Sequence, residues 1–173
     1  SLSDGGKFSL VDLNEITNEI LSDLELLIKE KNATIEIGGL SEMEVMPGLI
    51  RQVFQNMISN ALKFSRKNIP PVVRITAERV NSKSFEAEPD QNGKYCRIRI
   101  ADNGIGFDEI YLDKIFTIFQ RLNSKEDYEG TGIGLAIVKK IMDKHNGIIT
   151  AKSKENEGAT FILVLPVSQG AGF

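Results

Sequence analysis

The chain has one cysteine, one histidine and no apolar run approaching the roughly 20 residues that span a bilayer. The lone Cys96 excludes an intrachain disulfide, fits a reducing compartment and, in its strand-like setting, reads as a small buried hydrophobe. The opening SLSDGGKFSL lacks the basic and apolar regions of a signal peptide, so a cytoplasmic chain is expected. A basic excess is missing too. With 21 Lys and Arg against 24 Asp and Glu, the net charge is -3, which argues against a surface for nucleic acid. No internal repeat or low-complexity tract is present. GxxxxGK[ST] phosphate loops are absent, as are the HRD and DFG signatures of eukaryotic-type protein kinases. What remains is 173 residues, 41% hydrophobic and 26% charged, enough for one well-filled core and too few for two domains.

Leu13, Ile16, Ile20, Leu24 and Leu27 recur at helical spacing behind Asp12, with Glu15 three positions on as in a capping box. This predicts one amphipathic helix over 12–31. Short strands are predicted near 33–37 and 43–45, bounded by Gly38-Gly39 and Pro47, then a second helix over 49–66 that ends before Pro70-Pro71. Residues 72–80 and 95–101 alternate as strands joined by a polar loop. The polar segment between Phe107 and Glu129, with Phe116 and Phe119 in it, is longer than ordinary loops and predicts a lid. A third helix over 132–145 stops at Asn146-Gly147, and strands over 148–153 and 159–165 close on Asn156-Glu157-Gly158.

Three segments carry chemistry. On the second helix, Ile50, Val53, Phe54, Met57, Ile58 and Ala61 make the buried face, and Asn56, Asn60 and Lys63 stack along its edge. Two asparagines one turn apart weaken a helix, so they answer to something other than helix stability. An amide oxygen is a hard ligand that suits Mg²⁺, and an ammonium neutralises phosphate. Alone, this stripe fits a solvated polar face equally well. In the strand Cys96, Ile98 and Ile100, the period of two points Asp102 inward, where a carboxylate needs a donor such as an adenine amino group. Gly104 and Gly106 let the backbone turn and something flat approach; alone, Asp-Asn-Gly reads as a turn. Gly130-Thr-Gly-Ile-Gly opens a helical pattern, leaving N–H groups free for an anion such as triphosphate. By itself it reads as a hinge.

Together, Gln55 to Ser65 (QNMISNALKFS), Asp102 to Phe107 (DNGIGF), Ile115 to Leu122 (IFTIFQRL) and Gly130 to Leu135 (GTGIGL) resemble the N, first glycine, F and second glycine boxes of one family. That family is the catalytic and ATP-binding domain of bacterial sensor histidine kinases, within the GHKL superfamily of gyrase and mismatch-repair ATPases. The resemblance runs from about Phe8 to Pro166. It implies an α/β (α+β) two-layer sandwich, the Bergerat ATP-binding fold, with a mixed β-sheet carrying three main helices on one face. Residues 1–7 would end an interdomain linker or be a scar, 8–166 would form the ATP-binding domain with its lid at about 108–130, and 167–173 would be a tail.

The resemblance also implies roles. Asn60 would coordinate Mg²⁺ with Asn56 assisting, Lys63 would contact phosphate, and Phe64 would lie against the nucleotide. Asp102 would accept from the adenine amino group with Thr160 supporting it through water, flanked by Gly104 and Gly106. Gly130, Thr131, Gly132, Gly134 and Leu135 would form the phosphate-binding turn, and Arg121 would reach the γ-phosphate as the lid closes. Hydrolytic relatives place a glutamate at position 56 as general base, and an asparagine cannot abstract a proton. Phosphoryl transfer to a protein is therefore favoured over hydrolysis.

The implied partners are a histidine-bearing dimerisation domain of the same kinase and a response-regulator receiver domain, with no nucleic acid and no membrane for this domain; a membrane anchor on the parent protein is compatible with this reading. The acceptor is not His145. Thirteen residues at about 1.5 Å each put it roughly 20 Å from the phosphate-binding end of its helix, whereas transfer needs contact at about 3–3.5 Å. His145 is expected to be structural or on the surface, and turnover by this domain alone negligible. A GHKL-type ATPase, an anti-sigma-factor-like serine kinase and a nucleotide-sensing docking module stand as alternatives.

Overall fold

The computed structural model describes residues 6–117 and 133–169. Strand β1 (Ser9–Asp12) leads into helices α1 (Leu13–Asp23) and α2 (Glu25–Glu30), then β2 (Thr34–Gly38), β3 (Glu42–Val45) and α3 (Pro47–Lys63). Next come β4 (Val72–Val80), β5 (Tyr95–Asp102), a 3-10 turn (Glu109–Tyr111), α4 (Leu112–Ile115), α5 (Ile133–Lys144), β6 (Ile148–Lys154) and β7 (Gly158–Pro166). Five strands form one sheet in the order β2-β4-β5-β7-β6, while β1 and β3 pair separately. β2 runs parallel to β4, and every other neighbour in the large sheet is antiparallel. The sheet is therefore mixed, as expected.

One face of that sheet carries the main core. Ile20 of α1, Phe54 and Ile58 of α3 and Ile141 of α5 bury themselves against Ile75, Ile98, Ile100 and Leu163. All six apolar positions read from the periodicity of α3 are buried. The helix starts with Pro47 in its first turn, where a missing N–H costs nothing. It ends at Lys63 rather than Arg66, because the Phe64 carbonyl turns away to accept the Ile105 N–H at 2.9 Å.

Two further features depart from the expectations. The first helix breaks at Leu24, whose backbone leaves helical geometry (φ -97°, ψ 10°), with no glycine or proline to signal the break. Strand β1 was not anticipated: four residues are too few to show alternation, and its partner β3 lies across α1 and α2. The Asp12 cap does form, its carboxylate accepting the Asn14 N–H at 2.9 Å.

The opposite face of the sheet is covered by the connection between β4 and β5. Phe85 and Ala87 from that connection pack with Val80, Tyr95, Ile148 and Val164. Arg97, 5% exposed, holds it there by donating to the carbonyls of Phe85 (3.0 Å) and Ala87 (2.7 Å) and pairing with Glu78. The hydrogen bond from Arg97 holds the Glu78 carboxyl below the usual carboxylate range.

His145 is fully buried and structural. Its Nδ1 bonds the Ile141 carbonyl at 2.8 Å, so its Nε2 is free to accept the Met46 N–H at 3.0 Å, directly ahead of α3. One imidazole thus joins the end of α5 to the start of α3, and the Phe8 ring meets it edge-on. Asn146 follows in the left-handed region (φ 57°), ending the helix as its position predicts. Burial lowers the His145 pKa, so its contribution to stability is present above the unfolded value of 6.5 and is lost as pH falls through the folded value. His145→Ala is expected to cost about 2–4 kcal/mol, from an orphaned N–H and a cavity. Urea unfolding at pH 7.5 checks this, and a variant as stable as the parent would contradict the assignment.

Candidate functional site

The candidate site forms where the C-terminal end of α3 meets the turn after β5. Asn56 and Asn60 are both half-buried along one edge of α3, and Lys63 is exposed in its last turn. Lys63 also lines a groove of about 500 Å³ with Lys31, Ser65, Arg66 and Lys67, which makes this end of α3 cationic; Asn56, Asn60 and Asp102 do not line that groove. Among the described residues no three His, Cys, Asp or Glu side chains could hold a metal ion. Two neighbouring amide oxygens suit an ion that keeps most of its waters and takes phosphate oxygens for the rest.

Asp102 lies on the helix-facing side of β5, in phase with Cys96, Ile98 and Ile100. Its Oδ1 accepts the N–H groups of Gly104 at 2.8 Å and Ala159 at 3.3 Å. Burial nevertheless dominates and pushes the carboxyl up to about 6, with those two hydrogen bonds opposing. Cys96 on the same strand is pushed by burial to about 11, which leaves it an inert thiol.

The two glycines of the turn are required by the protein's own backbone. A Cβ on Gly104 would stand 2.5 Å from the Phe64 carbonyl oxygen, and one on Gly106 (φ +61°) 2.2 Å from that of Lys154. The turn is thereby pressed against α3 on one side and the β6–β7 hairpin on the other. Register places Ala159, not Thr160, opposite Asp102. Thr160 stands opposite Ala101 and Lys152, on the other face of the sheet, so the side chain expected to support Asp102 is not brought to it. The backbone of Ala159 takes that place.

Leu135 at the start of α5 and Phe116 at the start of the lid segment pack on a small cluster of Phe107, Ile115, Ala151 and Ala159. Phe116 meets Phe161 edge-on at 6.3 Å. The described part of the lid segment is pinned, with the Glu109 carboxylate accepting the Ser153 N–H at 3.0 Å. Gly134 lies in the first turn of α5. Arg121, Gly130, Thr131 and Gly132 lie outside the described residues, as does Phe119.

Residues 46–169 match the family described as "Histidine kinase-, DNA gyrase B-, and HSP90-like ATPase". The chain belongs to that family. Within it, this ATPase-family domain is homologous to sensor histidine kinases. It is 35% identical over 161 residues to the phytochrome-like protein Cph1 of Synechocystis sp., covering 93% of this chain and 20% of the relative. It is 37% identical over 162 residues to the sensor protein kinase WalK of Staphylococcus haemolyticus, covering 91% of this chain and 24% of the relative. The chain thus spans a fifth to a quarter of the length of these curated relatives.

The fold of this ATPase-family domain matches the catalytic domain of histidine kinase ThkA, with a TM-score of 0.75 at 26% identity over 94% of this chain and 97% of that one. A second structure shows ThkA in complex with the response regulator protein TrrA (TM-score 0.69, 26% identity, 92% of this chain, 42% of that one). The family is one of ATPases, so ATP is its nucleotide. No helix among the described residues is long and apolar enough to cross a membrane.

The motif reading missed the residues that brace the turn. Asn103 accepts the Val72 N–H at 2.8 Å and donates to the Pro70 carbonyl at 3.1 Å, and Ser153 accepts the Phe107 N–H at 2.8 Å. Their partners are backbone groups distant in sequence, which no local pattern encodes.

Proposed function

We propose that this domain binds Mg-ATP between α3, the Asp102 turn and the start of α5, and donates the γ-phosphate to a histidine on a separate dimerisation domain. The observation that supports this most is the half-buried Asp102 carboxylate, which has two backbone N–H donors on Oδ1 and no cationic partner among the described residues. A carboxylate with only two backbone donors there suits an adenine amino group as its third. Asn60, with Asn56 beside it, are the residues that would hold Mg²⁺, an ion that offsets phosphate charge when bound. Lys63 adds a cation at the phosphates, Phe64 an aromatic surface for the nucleotide, and the backbone N–H groups of Gly130 to Leu135 donors at a helix start. Arg121, in the lid segment, would supply a cation to the γ-phosphate.

Asn56 has no basic group with which to activate water, which supports transfer to a protein nucleophile over hydrolysis. The acceptor imidazole forms the new P–N bond as the bond to the β-phosphate oxygen breaks. A receiver domain would then take the phosphoryl group from that histidine. Use of ATP supports a cytoplasmic location, and the greater length of the sensor-kinase relatives supports a role as one part of a longer protein.

The non-hydrolysable analogue AMP-PNP at about 100 times its Kd should stabilise the domain by about 2.7 kcal/mol, several degrees of Tm, with magnesium and far less with EDTA. Asn60→Ala should remove most of the magnesium-dependent part. No thermal shift at millimolar nucleotide would leave only the docking alternative. Labelled ATP offered with histidine-bearing and with serine-bearing acceptors should label the first alone; steady hydrolysis without an acceptor would favour the ATPase alternative.

A further inference from the structure

Arg66 belongs to none of the motifs, yet its guanidinium reaches both segments that supply the donors on Asp102. Its Nε donates to the Asn103 carbonyl at 2.9 Å and its Nη1 to the Asn156 carbonyl at 2.9 Å. Asn103 sits between Asp102 and Gly104, whose N–H bonds Asp102 Oδ1. Asn156 lies in the turn that leads into β7, where the Ala159 N–H bonds the same oxygen. The Asn156 N–H also donates to the Ile105 carbonyl at 2.6 Å, and the Ile105 N–H to the Phe64 carbonyl. Arg66 follows Phe64 closely in the chain, so it clamps the glycine turn and the hairpin tip onto the end of α3.

The chemistry suits the task. Guanidinium stays charged and presents donors in a rigid fork, so two carbonyls from different segments are held at a fixed separation. An ammonium on a flexible stem holds either one without fixing both. The groups that face the Asp102 carboxylate closely enough to move its titration are the N–H groups of Gly104 and Ala159, and neither is charged.

Resting on the nucleotide reading above, we infer that Arg66 is a positioning residue for nucleotide recognition: by binding the Asn103 and Asn156 carbonyls it keeps two backbone donors on Asp102 Oδ1 and leaves Oδ2 for the adenine amino group. Loss of the clamp lets the turn open, admits water to the carboxylate and blurs the choice of adenine over guanine.

The test compares the full chain with Arg66→Gln and Arg66→Lys. Calorimetry with ADP and GDP reads affinity and selectivity, and a ¹³C carboxyl titration of the nucleotide-free protein reads Asp102 directly. Arg66→Gln is expected to weaken ADP binding about 10-fold, to narrow the ADP-to-GDP ratio, and to displace the Asp102 midpoint from its value in the parent, because the same change alters both the N–H donors and the burial that set it. Arg66→Lys should recover more of the Tm than of the affinity. A lower Tm with ADP affinity and Asp102 midpoint unchanged overturns the proposal, because bracing alone would do that. If the parent chain binds no ADP, the nucleotide reading fails, while the Asp102 midpoints still decide whether Arg66 governs the carboxylate. Should Arg66→Gln not fold, the midpoint in Arg66→Lys decides it, a shift supporting the clamp and its absence overturning it.

Discussion

Asp102→Asn is expected to weaken adenine-nucleotide binding by more than about 100-fold while leaving the nucleotide-free domain folded and, at pH 7, more stable than the parent. An asparagine keeps the acceptor for the Gly104 and Ala159 N–H groups on one atom and turns an NH₂ toward the base where a carboxylate oxygen had been. Donor then faces donor. Losing a charge-assisted bond and leaving a buried donor unpaired together account for a penalty of that size.

The stability change has the opposite sign because burial raises the folded pKa of Asp102 to about 6, above the unfolded value of 3.8. The contribution from its protonated form is complete below pH 3.8 and is lost as pH rises through 6, so the ionised group costs about 2–3 kcal/mol at pH 7. The variant lacks that slope. Its stability advantage should appear at pH 7 and fade below about pH 4, as urea unfolding at the two pH values will show. Nucleotide affinity of the parent should in turn fall as pH drops below 6, since a protonated carboxyl is a poor acceptor. A variant that binds ADP as the parent does would remove Asp102 from the site.

Gly158→Ala is expected to be strongly destabilising, although it adds only a single methyl group. Gly158 sits at φ +99°, a region that L side chains rarely adopt, and an added Cβ would lie 2.0 Å from the Asp102 carbonyl oxygen and 3.0 Å from the Asn103 Cα. Both contacts are backbone, so no rotamer change relieves them. Strain and overpacking together cost about 3–5 kcal/mol, a large share of the 5–15 kcal/mol that holds such a domain together, and lower Tm by roughly 10 °C or more. Gly48→Ala is the control. A Cβ there meets nothing within 4 Å in the first turn of α3, and the change should be neutral or mildly stabilising. Equal melting temperatures for the two variants would contradict the described packing of β7 on the turn.

The contrast between those glycines shows what local pattern can and cannot encode. Periodicity over α3 names its buried face because Ile50, Val53, Phe54, Met57, Ile58 and Ala61 share one helical stripe, and parity along β5 brings Asp102 inward for the same kind of reason. Asn146-Gly147 ends α5 through a backbone conformation that asparagine tolerates. What stayed hidden depends on partners far along the chain. Arg97 in a strand of alternating charges reads as solvated, yet it is buried because the carbonyls of Phe85 and Ala87 fold back onto it. Arg66 and Asn103 likewise act on carbonyls and N–H groups, which every residue has and no composition distinguishes. Thr160 was misplaced through the family pattern alone: the pairing of β7 with β5 decides which of two neighbours shares a face with Asp102, and that register is a property of two strands together.

The parallel pairing of β2 with β4 makes α3 part of the crossover between two strands that lie side by side. Such a pair cannot zip from a hairpin; its ends meet only after the intervening chain has folded back, a late and entropically costly event in folding. The helix bearing Asn56 and Asn60 must therefore dock before the edge of the sheet can close. Polar substitutions on its buried side would slow the acquisition of the native state itself, and a chain synthesised with a poorly docking α3 would linger with β2 unpaired, exposed to self-association.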